Sequence, residues 1–596
     1  MYKINTNENK IDIAPNTPLL DALRSNQNHL SAPCNGNGTC GKCKVRVLSG
    51  ETNPPTFQEI SLLGENAIAE GYRLACNVYA ASDISIELLP QENTSAQIVT
   101  AGIEHDINIA PPVIKQYIQL SKPLLEDQLS DADRILKAAK VDTLPLELIR
   151  RVPELLRDSD YGITLIKYGN KITGIEGKNT SNNLYGIAVD IGTTTIAAYL
   201  FDCNTGSRVG VHSLLNPQKI FGSDVISRIK HSSEDIGGQD DLNEGIVLAI
   251  NDSINELCKK AKISCDDIYS IALVGNTTML HFLLNVSARN IANAPFIPAF
   301  TALQTLPARK LGLCMNEYAT AFILPSVSAY IGADTVGAVL ATQLHQSSSI
   351  SLLIDIGTNG EIVLGNNTFM YSCSSAAGPA FEGANIRNGM GSVYGAINSI
   401  SLTKGLSYTT IGDTEPIGIC GTGVVDAVAQ LLEISIIDET GRINHKWKSN
   451  DPVIASLSEH ISNIDGQVAF HIYKDIHITQ KDIRELQNAK AAIAAGIQIL
   501  IEQAGISFDD IENVYLAGGF GSYINKDSAV KIGLIPSQLK NKIKSVGNAA
   551  GQGAQYALLS EHYLQQAVDI SRRIEYIELS ASKSFNDYYI DCMMFE

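Results

Sequence analysis

The sequence predicts a multi-domain protein of mixed α/β and α+β class. It divides into a small cysteine-bearing module, a small α/β middle unit and a large two-lobed unit. Three observations carry this. A chain of 596 residues exceeds what a single hydrophobic core supports, so about two to four domains are expected. The stretch "CNGNGTCGKCKVRV" gathers Cys34, Cys40 and Cys43, three of the chain's 11 cysteines, within ten residues. A strand–turn–strand pattern around Asp190 recurs 165 residues later around Asp355.

Composition narrows the function. The apolar share of 44% is that of a soluble globular protein. With 63 acidic against 45 basic side chains the net charge is −18, which argues against nucleic acid or an anionic membrane as the main partner. Phosphorylated ligands stay possible, because loops and helix N-termini bind phosphate through backbone N–H groups. The start, "MYKINTNENKIDIAP", has no apolar run, so no secretory signal is expected. The longest apolar stretches are too short and interrupted to span a bilayer. Seven cysteines are scattered singly, at 203, 258, 265, 314, 373, 420 and 592, which points to a reducing, cytoplasmic setting.

The cysteine module comes first. Its spacing is Cys-x5-Cys-x2-Cys, followed after 32 residues by Cys76. Structural zinc prefers two separated Cys-x2-Cys knuckles, and the second is missing. A disulfide does not suit a reducing compartment, and a catalytic thiol needs one activated cysteine rather than three in a glycine-rich coil. A two-iron cluster needs four converging thiolates and a backbone that wraps closely around the sulfides. Gly36, Gly38 and Gly41 permit that wrapping. The spacing is one residue longer than the plant-type pattern, and it resembles the adrenodoxin-like branch of the [2Fe–2S] ferredoxins. Alternating strands in "MYKINT" and "KIDIAP", a helix in "PLLDALRSNQ" and strands in "CKVRVLSG" and "SDISIELL" frame a β-grasp module over residues 1–90. Cys34, Cys40, Cys43 and Cys76 are the candidate iron ligands.

Residues 91–115 are polar and proline-containing without long periodicity and read as a linker. Residues 116–182 carry helical stretches, "DADRILKAAK" and "PLELIRRVPELLRD", then strands in "YGITLIKYG" and "KITGIEGK". They form a small α/β unit without evident chemistry.

From residue 183 the texture changes. "LYGIAVDIGTTTIAAYLFD" is a strand, a turn at Asp190-Ile-Gly-Thr-Thr-Thr195 and another strand. "ISLLIDIGTNGEIVLGN" repeats the plan around Asp355-Ile-Gly-Thr-Asn-Gly360. In such a turn the carboxylate faces a metal ion, while N–H and hydroxyl groups cradle phosphate oxygens. A third element, "IENVYLAGGFGSYI", runs a strand into Gly518-Gly519-Phe520-Gly521. Together the three resemble the phosphate-1, phosphate-2 and adenosine motifs of the actin, sugar-kinase and heat-shock ATPase superfamily. "DIYSIALVGNTTMLHFLL" and "KIKSVGNAAGQGAQYALL" fall where that superfamily places its connecting helices. No Walker A motif is present. Residues 183–596 are therefore expected to form an actin-like, ribonuclease-H-like ATPase domain of two lobes.

The pairing of these modules, with "AAGPAFEGANIRNGM" and "CGTGVVDAVAQLL", resembles the reductive activators of corrinoid proteins over nearly the whole chain. The resemblance implies ATP-dependent transfer of one electron from a [2Fe–2S] cluster to an inactive cob(II)alamin protein, regenerating cob(I)alamin. It implies ATP and Mg2+ as further cofactors, a corrinoid protein as partner, an upstream low-potential electron donor and a homodimer. It places Asp190 and Asp355 on the water shell of the magnesium ion. Gly192, Thr193, Thr194, Thr195, Gly357, Thr358, Asn359 and Gly360 then surround the phosphates, with Gly518, Gly519, Phe520 and Gly521 behind the adenosine. Asn276 and Thr277 join the phosphate site or cap a helix. Glu382 is a ribose or partner contact, or a plain helix carboxylate. His281 reads as a core histidine rather than a cobalt ligand.

Two features separate the chain from neighbouring groups. Only Cys592 lies near the C-terminus, which excludes the activators with additional C-terminal clusters. Activators of radical dehydratases place a cluster cysteine where this chain has Ser375, leaving Cys373 as a small apolar core residue. Two other functions fit parts of the pattern: a small-molecule kinase with a redox-sensing ferredoxin domain, and an activator of another low-potential metalloenzyme. A chaperone fails on length, since only about 40 residues follow "GNAAGQGA".

Overall fold

The computed structural model describes residues 1–6, 10–15, 17–25, 30, 38, 41, 43–88, 101–222, 224–464 and 466–595. Cys34, Cys40 and Gly36 lie outside the described residues.

The N-terminal module is a five-stranded sheet in which Tyr2–Asn5 pairs antiparallel with Lys10–Ile13 and parallel with Ile84–Leu88. Lys44–Ser49 and Tyr72–Leu74 complete the sheet, and helix Leu19–Ser25 packs on it. Period-two alternation puts Ile4, Ile11, Ile13, Val45, Ile84 and Ile86 inside. A buried ion pair stands beside strand Tyr72–Leu74. Arg73 Nε donates to Glu59 Oε1 at 2.8 Å, and Glu59 Oε1 also accepts from Leu74 N–H at 3.0 Å. Glu59 is in turn the third residue of helix Phe57–Leu63, in a capping box with Thr56.

Residues 101–112, part of the expected linker, are bound along the large domain. Ala101 C=O accepts from Asn548 N–H at 2.9 Å, Ile103 C=O from the Tyr556 hydroxyl at 3.0 Å, and Ala110 C=O from Glu561 N–H at 2.8 Å. The chain then forms a three-stranded antiparallel sheet, Val113–Gln119, Gly162–Tyr168 and Lys171–Gly177. Helices Asp131–Ala139 and Val152–Asp158 cover one face. Lys115 Nζ pairs with Glu176 inside this unit and donates to the Tyr269 hydroxyl of the first lobe, each at 2.8 Å.

The large domain contains two six-stranded sheets built to one plan. In the first, Tyr185–Ile191, Thr195–Asp202 and Ser207–Leu215 form an antiparallel meander. Ile268–Gly275 lies parallel on the other side of the first strand. In the second, Ile350–Ile356, Gly360–Gly365 and Met370–Ser375 repeat the meander. Ile511–Ala517 there takes the parallel place. This duplication is the actin-like, ribonuclease-H-like architecture.

The chain also crosses between the lobes. Helices Ala549–Leu559 and Glu561–Arg573 return to the first lobe, and Ile574–Tyr576 pairs in the second sheet. Helix Ala549–Leu559 crosses helix Ala333–Thr342 at Gly553 and Gly337, where a Cβ on Gly553 would sit 2.1 Å from the Gly337 carbonyl oxygen. Small residues let these buried helices approach closely.

Candidate functional site

Each meander carries a turn where its first strand ends in aspartate. A strand that is buried on both faces must change direction at the cleft, and glycine with hydroxyl residues supplies the turn. In the first, Gly192 N–H donates to Thr195 C=O at 2.9 Å; in the second, Gly357 N–H donates to Asn359 C=O at 2.9 Å. The first turn is braced from below by groups that sequence reading did not single out. Arg228, fully buried, donates to Thr193 C=O at 2.6 Å, and Asn216 donates to Gly192 C=O at 2.8 Å. Burial lowers the Arg228 pKa to about 10.

Asn276 caps a helix and also bonds the first turn. Its Oδ1 accepts from Met279 N–H at 3.0 Å as a helix cap, and its Nδ2 donates to Thr193 Oγ1 at 3.0 Å. Thr277 is buried with its hydroxyl on Ser328 C=O, which is a packing role. His281 is a core residue. Its Nδ1 donates to Thr277 C=O at 2.7 Å, its Nε2 accepts from Ala299 N–H at 3.0 Å, and its ring stacks on Phe300. Cys373 is buried in the second lobe's core, and burial pushes its thiol up.

Acidic side chains converge beneath the turns. Burial pushes Asp190 up to about 7, opposed by Asn548, whose Nδ2 donates to Asp190 Oδ2 at 2.8 Å. Burial likewise pushes Asp355 up to about 7, helped by the charges of Asp334 and Asp190. Asp334 rises to about 6 by burial, against the Thr335 N–H, and burial with Asp334 and Asp355 raises Glu361. Asp334 and Asn548 were not anticipated. "GADTVGA" reads as an ordinary helix start, and only the fold brings it beside two distant strand ends. Among the described residues no three His, Cys, Asp or Glu side chains come close enough to ligate a metal directly. The carboxylates of Asp190, Asp355, Asp334 and Glu361, close enough to raise one another's proton affinity, fit a hydrated divalent cation such as Mg2+.

The glycine element stands beside these acids. Gly518 has φ +81°, and a Cβ there would lie 2.5 Å from Asp355 Oδ1. Gly519 faces open space, whereas Gly521 is turned inward against Leu516. Phe520 packs on Phe381 with ring centroids 4.8 Å apart. Glu382 follows Phe381 and touches both turns: its carboxylate accepts from Thr194 Oγ1 at 3.3 Å and Thr358 Oγ1 at 3.1 Å.

In the N-terminal module the two described candidate ligands, Cys43 and Cys76, are buried with sulfurs 3.3 Å apart. Gly38 and Gly41 adopt φ of +72° and +66°, the left-handed region open to glycine. The converging thiols of Cys43 and Cys76 fit two ligands of an iron–sulfur cluster.

The chain is similar to known proteins along its whole length. Four family models match in sequence: "2Fe-2S iron-sulfur cluster binding domain" over residues 2–81, "RACo linker region" over 102–182, "RACo middle region" over 185–347 and "C-terminal domain of RACo the ASKHA domain" over 349–596. The corrinoid activation enzyme RamQ of Eubacterium limosum is 34% identical, with 99% of this chain and 98% of that protein covered. A methylated amine-specific corrinoid protein reductase of Methanosarcina barkeri is 26% identical over 68% of this chain and 76% of its own length. A solved structure of a reductive activator for a corrinoid iron–sulfur protein superposes with a TM-score of 0.74 at 32% identity, covering 100% of this chain and 98% of that one.

Proposed function

This chain belongs to the reductive activators of corrinoid proteins, and from that premise we propose that it couples ATP hydrolysis to one-electron reduction of a cob(II)alamin protein. The observation that carries the reading is the cleft itself. Two phosphate-type turns, one from each lobe, meet over half-buried aspartates in the same chain as a cluster-type cysteine module.

Cys34, Cys40, Cys43 and Cys76 hold the cluster in this proposal. When bound, a plant-type [2Fe–2S] cluster supplies one-electron transfer near about −400 mV. A cobalt(I) corrinoid lies lower. At about 59 mV per tenfold, a gap of about 100 mV leaves only a few per cent reduced product. Differential binding of the partner by the closed cleft then supplies the missing driving force.

Asp190 and Asp355 would hold a hydrated magnesium ion, which would supply charge neutralisation at the terminal phosphates. Thr193, Asn359 and the backbone N–H groups of Thr194 and Thr358 bond the phosphates, and Gly518, Gly519 and Phe520 form the adenosine wall. The division at residues 90, 115 and 182, a homodimer, an upstream low-potential donor and a cytoplasmic setting belong to the same proposal. Among the described residues no helix is long and apolar enough to cross a membrane.

The test is anaerobic purification with iron, sulfide and ATPase assays. The proposal expects about two irons and two sulfides per chain, with turnover raised by a cobalt(II) corrinoid protein. Stoichiometric zinc without sulfide would overturn the cluster assignment. Stimulation by sugars, acetate or glycerol but not by corrinoid protein would establish a kinase-like function instead.

A further inference from the structure

Glu382 occupies a position that the roles above do not explain. It closes the short helical turn Pro379–Glu382, which enters from Gly378 and leaves through Gly383, both with positive φ. The turn is clamped. A Cβ on Gly383 would lie 2.3 Å from the Met390 carbonyl oxygen, one on Gly421 would strike the Phe381 carbonyl, and Phe381 is buried against Phe520. The carboxylate therefore has little freedom to swing away.

It points at the meeting of the lobes. Thr194, from the first turn, donates to Oε1, and Thr358, from the second, donates to both oxygens. Among the described residues no other carboxylate bonds to the hydroxyls of both turns. Other acids of the cleft have partners elsewhere: Asp190 accepts from Asn548, Glu361 from Asn359, and Asp334 from the Thr335 N–H at its own helix start. Burial raises the Glu382 pKa, against the two threonines, Lys219 and Arg228. A carboxylate held in this way, with a raised proton affinity, is suited to accept a proton.

We infer that Glu382 orients the attacking water in ATP hydrolysis and accepts its proton, with Thr194 and Thr358 placing the carboxylate beside the terminal phosphate. In this step the water oxygen bonds to the terminal phosphorus. The bond from that phosphorus to the bridging oxygen breaks, its electron pair leaving with ADP. The water's proton passes to Glu382 and then to solvent.

The inference rests on the cleft being the nucleotide site, and the test separates the two. Full-length wild type, Glu382→Gln and Glu382→Asp are compared for ATP affinity by calorimetry and for phosphate release at saturating ATP. Glu382→Gln keeps the shape and the hydrogen bonds with the threonines but is a poor base. It should bind ATP within about threefold of wild type while turnover falls about 10²- to 10⁴-fold. Glu382→Asp keeps the base and should recover part of that loss. Glu382→Gln that turns over within about threefold of wild type, or loses affinity in step with turnover, overturns the inference. Wild type that binds no ATP overturns the reading of the cleft instead.

Discussion

Arg73 and Glu59 show how far one buried pair can support a redox site. Arg73 precedes Cys76 by three residues and fixes the strand that delivers it, through Glu59 and the Thr52 hydroxyl. Burial alone would raise the Glu59 pKa. The Arg73 hydrogen bond, the Thr56 and Leu74 N–H groups and the Arg73 charge outweigh it and lower the value. Removing one partner strands the other charge, so Arg73→Met should destabilise the N-terminal module by about 3–5 kcal/mol. Loss of visible cluster absorbance on heating, compared with wild type, checks this. A depressed folded-state pKa gives stability that is present above the unfolded value near pH ~4.3 and is lost as pH falls through the folded value. Arg73→Met should therefore flatten the acid limb of the module's stability profile. At this scale the sequence was partly readable. Cys43 and Cys76 stood out by spacing, whereas Glu59, Arg73, Arg228 and Asn548 are ordinary polar residues whose meaning comes from what the fold brings against them.

Helices and turns were read more readily than the contacts between them. The two meanders were visible because alternation, a terminal aspartate and a glycine–threonine turn coincide twice. The linker as read, 91–115, takes in the first three residues of strand Val113–Gln119, since one edge strand with an exposed face carries a weak pattern. Nothing in "AAGQGAQYALL" announces that Gly553 must meet Gly337. A methyl group there forces two buried helices apart, and Gly553→Ala should cost about 1–3 kcal/mol in denaturant unfolding of the large domain. Gly518→Ala tests a different element. Its left-handed φ and its 2.5 Å approach to Asp355 make any Cβ displace the acid or the turn. ATP affinity should fall at least tenfold while iron and sulfide content stays unchanged. An unchanged affinity would remove Gly518 from the nucleotide wall.

On the scale of the whole molecule, the module that carries electrons is joined to the one that binds nucleotide through a root built into the ATPase. Ala101 is bonded to the Asn548 N–H, while the Asn548 side chain holds Asp190. The attachment of the redox module thus starts one residue from the phosphate floor. A protease site placed within residues 91–100 and cleaved after folding should leave ATP hydrolysis intact. It should slow corrinoid reduction at micromolar protein, because a short connection supplies an effective concentration of order millimolar.

The central claim is that ATP held in the cleft drives the electron onto cobalt, and the cobalt(I) absorbance band reports that directly. Reduced full-length protein is mixed anaerobically with a cobalt(II) corrinoid protein, with ATP, without ATP, and as Asp190→Asn with ATP. The account predicts cobalt(I) accumulation only for wild type with ATP, and no more than a few per cent conversion in the other two. Equal conversion in all three would contradict it.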